Sequence, residues 1–157
     1  MSVVLYRIDD RLVHGQVMVA WTKIYQTNRI FVVDEETIKN AFLFDVMRMT
    51  MPQGYELIFL GVEEAIKTIK EDPPGKKSLL LAKGPETILA LMEGGLEIPE
   101  LNVGNMGAKP GRKAVMRSIQ LSGEEYAVLK AIEEKGTRVY FQIFPDAKAV
   151  ELNKIKM

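Results

Sequence analysis

The chain has 157 residues, one histidine and no cysteine, and its 21 lysines and arginines balance 21 aspartates and glutamates. Its length and 47% hydrophobic content suit one domain that buries roughly two thirds of its unfolded surface, and the charge balance gives no basis for nucleic acid or an anionic membrane as main partner. The missing cysteines exclude disulfides and thiolate metal sites, the lone histidine argues against a transition-metal centre, and no stretch approaches a signal peptide or the roughly 18 apolar residues of a membrane span, so a cytoplasmic protein is expected.

Val3-Val4-Leu5-Tyr6-Arg7-Ile8 is nearly continuous in apolar and β-branched residues, the pattern of a strand buried on both faces of a parallel sheet. A charged loop follows. Val17, Ala20, Trp21 and Ile24 then recur at helical spacing, which predicts a helix over 16–25 with Trp21 in the core. The strand signal returns at 30–33. Asp34-Glu35-Glu36 stands where a helix cap and first turn belong, with Asp34 capping and the glutamates complementing the dipole. The acidic trio also reads as a carboxylate metal site, but capping explains it without a metal.

A strand at 57–60 and a helix at 62–69 end in the turn Asp72-Pro73-Pro74-Gly75. A strand at 78–82 precedes a helix at 85–92, which Gly94-Gly95 terminates. A short strand at 101–103 enters a glycine-rich loop, and 115–121 is a further strand candidate. Gly123-Glu124-Glu125 opens a helix reaching about residue 134, a late strand covers 138–143, and the tail from Lys148 is expected to close as a helix.

Strands alternating with helices of about ten residues imply βαβ units. The expected fold is α/β: a single domain over 1–157 with an open, mostly parallel sheet and helices on both faces. Such sheets bind ligands beyond the carboxyl ends of their strands, where the loops at 9–15 and 104–113 can converge.

The first loop, Asp9-Asp10-Arg11-Leu12-Val13-His14-Gly15, surrounds the single histidine with carboxylates and guanidiniums. A neutral imidazole is nucleophilic at cellular pH, and phosphoryl transfer asks mainly for positioning and charge stabilisation. His14 would attack phosphorus near the amino end of the following helix, where free amides favour an anion. Arg11 is the first candidate for a bidentate phosphoryl contact. Arg7 reads equally as a second contact or as an ion pair facing away from the site. Either Asp9 or Asp10 can orient the second ring nitrogen of His14, the other capping the loop or pairing with Arg11. Gly15 allows close backbone approach or simply turns the chain. In the second loop three glycines and the cations Lys109, Arg112 and Lys113 suit an anion or an acidic partner. Met18 and Met106 are candidates to rim the site or to fill the core.

The run from Arg7 to Val17, with Ile30-Phe31-Val32-Val33-Asp34-Glu35 and Leu101-Asn102-Val103-Gly104-Asn105-Met106-Gly107, resembles the mannose/sorbose-family IIB component of the bacterial sugar phosphotransferase system across essentially the whole chain. The resemblance implies a phosphocarrier enzyme. His14 would accept a phosphoryl group from a phosphohistidine of a IIA protein and give it to a sugar imported by membrane IIC and IID proteins, which would hold the cytoplasmic chain peripherally at the inner membrane. Arg11 and Asp10 would serve as catalytic partners of His14. Asp9, Gly15, Arg7, Asn105 and Lys109 would bind or orient phosphate, without metal, cofactor or nucleic acid. The second loop departs from the commonest family form: Asn105 stands where a glycine is usual and Lys109 near the expected cation. That variant resembles amino-sugar members and points to N-acetylgalactosamine or a related sugar within the mannose, sorbose and amino-sugar classes. Two other readings remain: a regulatory or adaptor module that binds without transferring, and a phosphate-metabolite-binding domain, against which the absence of nucleotide-binding glycine motifs weighs.

Overall fold

The computed structural model describes residues 2–157. In chain order its elements are β1 (Val3–Asp9), α1 (Gly15–Tyr25), β2 (Arg29–Val33), α2 (Ala41–Met49), β3 (Glu56–Leu60), α3 (Val62–Glu71), β4 (Ser78–Ala82), α4 (Pro85–Glu93) and β5 (Glu100–Asn105), followed by β6 (Lys113–Met116), β7 (Ile119–Leu121), α5 (Gly123–Glu134), β8 (Arg138–Phe141) and β9 (Val150–Glu151). Seven strands form one sheet in the order β3-β2-β4-β1-β5-β8-β9. Every neighbouring pair is parallel except β8 with β9, as the apolar runs of the inner strands predict.

Alternation within each strand feeds two cores. Phe31, Val33, Leu80 and Ala82 pack on one face with Ile69, Leu91 and Leu129 from α3, α4 and α5. Ile30, Val32, Leu79 and Leu81 pack on the other with Val17, Met18 and Trp21 from α1 and Met47 from α2. Trp21 is therefore core, as its spacing predicts, and Met18 and Met106 are both fully buried, so neither rims the site. Each such large side chain contributes about 1.5–3 kcal/mol on burial. The adjacent strands β1 and β5 send their chains to opposite faces, which opens a topological switch point at their carboxyl ends.

Three local expectations need correction. After Asp34 the chain makes a single 3-10 turn at Thr37–Lys39, whose amide and hydroxyl donate to the Asp34 carboxylate at 3.0 and 2.6 Å. Glu35 does not serve that turn but caps α3, accepting from the Val62 amide at 2.6 Å. The expected helix is α2, which starts from the cap Asn40 rather than from Asp34; Phe42, Val46 and Met49 lie on its exposed face and obscure the apolar stripe that would have placed it. Residues 115–121 contain not one strand but the turn of the β6–β7 hairpin, which reverses at Ser118 with φ 66 and forms its own small sheet, joined to the chain after β5 by a bridge between Met106 and Ile119. The tail is not helical. Val150 and Glu151 pair with Phe141 and Tyr140 and a 3-10 turn follows; ten residues make a marginal helix, whereas pairing satisfies the open edge of β8.

Candidate functional site

The first loop leaves β1 at Asp9 and turns at once, the Leu12 amide donating to the Asp9 carbonyl at 2.9 Å. Leu12 adopts the left-handed conformation with φ 56, which a non-glycine residue holds only when its surroundings fix it. They do so here: Leu12 and Val13 are buried among Val17, Met18, Met47 and Met51. His14 is the extended residue that begins α1, and neither its side chain nor any acidic residue in the first turn occupies the helix start. The amino end of α1 is thus available to an anion. At Gly15 a Cβ would lie 3.1 Å from the Thr50 carbonyl at the end of α2, a tight contact that asks the carbonyl to give by a few tenths of an ångström.

The His14 ring is held by a hydrogen bond on one side only. Nδ1 lies 2.9 Å from the Leu12 carbonyl, a contact that only a protonated Nδ1 makes favourable. Nε2 lies 3.7 Å from Asp9 Oδ2 and has no hydrogen-bond partner. The side chain is 25% exposed. Asp9 is fully buried and accepts from the Arg11 amide at 3.1 Å, from its Nε at 2.9 Å and from its Nη2 at 2.8 Å. This hydrogen bonding raises the Arg11 guanidinium above its ordinary value. Arg11 stays 42% exposed, within reach of a bound group.

Of the two aspartates, Asp9 is the one that pairs with Arg11 and lies nearest the ring, without a hydrogen bond to Nε2. Asp10 turns instead to the second loop, accepting from Asn105 Nδ2 at 2.8 Å, the Gly107 amide at 2.7 Å and Arg112 Nη1 at 3.3 Å. The two loops do converge, and Asp10 with Asn105 is the clasp. Arg112, which the sequence marks only as one loop cation among three, grips Glu125 at the start of α5 through Nε at 2.9 Å and Nη2 at 2.7 Å. Lys109 stands exposed on the loop.

Arg7 neither binds at the surface nor faces away. Its side chain is 0% exposed directly beneath the site. Nη1 donates to Asn102 Oδ1 and to the Gln142 carbonyl, and Nη2 to the Ile143 carbonyl at 3.1 Å and to Asp9 Oδ2 at 3.4 Å. Burial pulls the guanidinium down to about 10 while Asp9 opposes the shift, so it remains charged at neutral pH. The space it fills is opened by a register jump: Ile8 pairs with Val103 but Asp9 with Asn105, and a Cβ on the skipped Gly104 would sit 2.0 Å from the guanidinium carbon. The sequence marks Gly104 only as a loop glycine and Asn102 only as part of a short strand and family motif, and no pattern announces the Gln142 and Ile143 carbonyls as parts of this site.

Residues 3–157 match the family model described as the sorbose subfamily IIB component of the phosphotransferase system. The chain is 32% identical over 145 residues to the N-acetylgalactosamine-specific phosphotransferase enzyme IIB component 1 of Escherichia coli, covering 92% of each protein. The crystal structure of manxB from Thermoanaerobacter tengcongensis superimposes with a TM-score of 0.89 at 34% identity, covering 96% of this chain and 92% of that one. The IIBSor domain of the sorbose permease from Klebsiella pneumoniae gives 0.91 at 25% identity, covering 98% and 96%. A histidine between two charged loops at the switch point of a parallel sheet, and a match over the whole sheet, lead to one conclusion: the chain belongs to the sorbose subfamily of phosphotransferase-system IIB components.

Proposed function

We propose that His14 is the residue that carries the phosphoryl group, received from a phosphohistidine of a IIA protein and passed to a sugar held by membrane IIC and IID proteins. The observation that carries this reading is the ring itself: it is the chain's only histidine, set at the uncapped start of α1 between the Leu12 carbonyl and the Asp9 carboxylate.

In the first step the N–P bond of the donor breaks as an N–P bond to His14 forms, in line and through a loose transition state. The donor imidazole leaves neutral and no proton moves. His14 then carries phosphorus on one nitrogen and a proton on the other, and its ring gains positive character. With phosphorus on Nε2, the Nδ1–H keeps the Leu12 carbonyl as its acceptor; with phosphorus on Nδ1, the Nε2–H would face Asp9 Oδ2 across 3.7 Å. The phosphoryl oxygens face the first-turn amides of α1 and the exposed Arg11 fork. In the second step a sugar hydroxyl oxygen takes the phosphorus, the His14 N–P bond breaks, and the hydroxyl proton goes to the released imidazole and on to solvent.

Asp10, Asn105 and Lys109 act at one remove, the first two by clasping the second loop to the first and Lys109 by presenting a cation to the incoming partner. The sugar belongs to the mannose, sorbose or amino-sugar class, and the Gly104-Asn105-Met106 form of the loop favours an amino sugar. Among the described residues no helix is long and apolar enough to cross a membrane, and a cytoplasmic chain held at the inner membrane by its partners fits that. The test is incubation with the general phosphotransferase proteins, a mannose-class IIA and labelled phosphoenolpyruvate, comparing wild type with His14→Ala. Acid-labile label on the wild type alone is expected. Label on His14→Ala, or none on a folded wild type beside an active IIA, would overturn the assignment.

A further inference from the structure

A fully buried guanidinium is costly, and an apolar side chain of similar volume would often serve stability as well or better. Arg7 is kept beneath the site nonetheless, with four acceptors around its two Nη atoms and the face of Trp21 5.1 Å from its Cζ. Three of those acceptors, Asn102 Oδ1 and the carbonyls of Gln142 and Ile143, belong to β5 and to the loop after β8, and they fix where the guanidinium sits. The fourth is Asp9 Oδ2. That same oxygen takes Arg11 Nη2 at 2.8 Å and faces His14 Nε2 at 3.7 Å. One carboxylate oxygen thus sets the spacing between the exposed arginine and the imidazole, and Arg7 approaches it from below.

The geometry points to Arg7 as a positioning residue for phosphoryl transfer: anchored by Asn102 in the hole that Gly104 leaves, it fixes the Asp9 carboxylate and, through it, Arg11 and His14. The inference rests on the reading of His14 as the carrier. Arg7 touches neither phosphate nor partner, since it has no exposed surface. Its loss therefore acts on the rate within the bound complex and leaves the donor's affinity alone. Misplacement of reacting groups by about 1 Å costs roughly a hundredfold in rate, and a carboxylate that keeps its Arg11 contacts moves less than that.

The experiment is rapid-quench transfer from phosphorylated IIA to the full chain, giving a maximal rate and a half-saturating donor concentration for wild type, Arg7→Met, Asp9→Asn and the double variant. Arg7→Met is expected to slow the maximal rate roughly tenfold to thirtyfold at unchanged half-saturation, and Arg7→Lys, which keeps the charge without the fork, to recover part of the loss. Because Arg7 acts through Asp9, the double variant should be no slower than the slower single variant, a non-additivity that independent structural damage would not produce. Asn102→Ala keeps Arg7 but removes its anchor, and supplies the same split of rate from affinity should Arg7→Met fail to fold. An unchanged maximal rate, a loss confined to half-saturation, or losses that multiply in the double variant would overturn the positioning role while His14 still takes label. Absence of label on wild-type His14 would instead overturn the carrier reading itself.

Discussion

Replacing Gly104 with alanine tests the most demanding contact beneath the site. A Cβ there would meet Arg7 Cζ, Nη2 and Nη1 at 2.0, 2.1 and 2.2 Å, so the guanidinium must retreat by about 1.5 Å to reach ordinary contact near 3.5 Å. Overpacking of this kind costs about 1–3 kcal/mol, and losing one hydrogen bond to a charged group adds about 1.5–3 kcal/mol. A loss of about 3 kcal/mol is therefore expected, equivalent in a chain of this size to a fall of roughly 6–12 °C in Tm. Gly123→Ala is the matched control. It opens α5, nothing lies within 4 Å of its added Cβ, and alanine there should stabilise by up to about 1 kcal/mol. The assay is thermal and urea unfolding of both variants beside the wild type. If Gly104→Ala melted within about 2 °C of the wild type, or if Gly123→Ala fell as far, the account of the hole would be wrong.

Other consequences can be checked on the same material. Asp10→Asn removes the charge that joins Asn105, Gly107 and Arg112; it should cost about 2 kcal/mol in urea unfolding while His14 still accepts label. Acid should weaken the protein through its depressed carboxylates. The bond from Arg29 holds Asp72 low, and at Glu125 burial pushes upward but the bonds from Arg112 and Ser122 prevail. Groups whose folded values lie below their unfolded ones contribute stability above about pH 4 and lose it as pH falls through the folded values. Urea midpoints should therefore drop between pH 5 and pH 3, and Asp72→Asn should show a shallower drop than the wild type; an equal slope would exclude Asp72 from the effect.

Much of this architecture can be read from β-branched and leucine runs, because a strand buried on both faces has no polar alternation to confuse the reading. Ser78-Leu79-Leu80-Leu81-Ala82 becomes the fully buried β4, and Leu101-Asn102-Val103 becomes the middle of β5. The tail and the start of α2 escaped for physical reasons: the tail's short strand exists only through pairing with the edge of β8, which no periodicity of its own announces, and α2 exposes Phe42 and Met49. Period-two alternation does place Arg7 and Asp9 on one face of β1, whereas Asp10 falls in the turn just past the strand's end, where alternation no longer directs its side chain. What alternation lacks is depth. Only the bulge at Gly104, a register event between β1 and β5, turns Arg7 from a candidate surface contact into a buried support.

The charges of the completed site bear on how a carrier can both take and release its cargo. Three guanidiniums, Arg7, Arg11 and Arg112, are paired with three carboxylates, Asp9, Asp10 and Glu125, so the resting site holds no surplus fixed charge among these groups. A site with unpaired arginines around His14 would bind the phosphoryl dianion in its ground state and retard its departure, since binding that is uniform across ground and transition states does not speed a step. On the reading proposed for His14, an arriving phosphoryl group would meet the partial charge at the start of α1 and the positive character it induces in the ring itself. Arg11 could add a contact through Nη1 while its Nε and Nη2 keep the Asp9 carboxylate. On the proposed reading the Asp9 carboxylate would stay beside the imidazole, 3.7 Å from Nε2, as the ring becomes cationic, and the paired charges around it would leave the N–P bond labile enough for onward transfer.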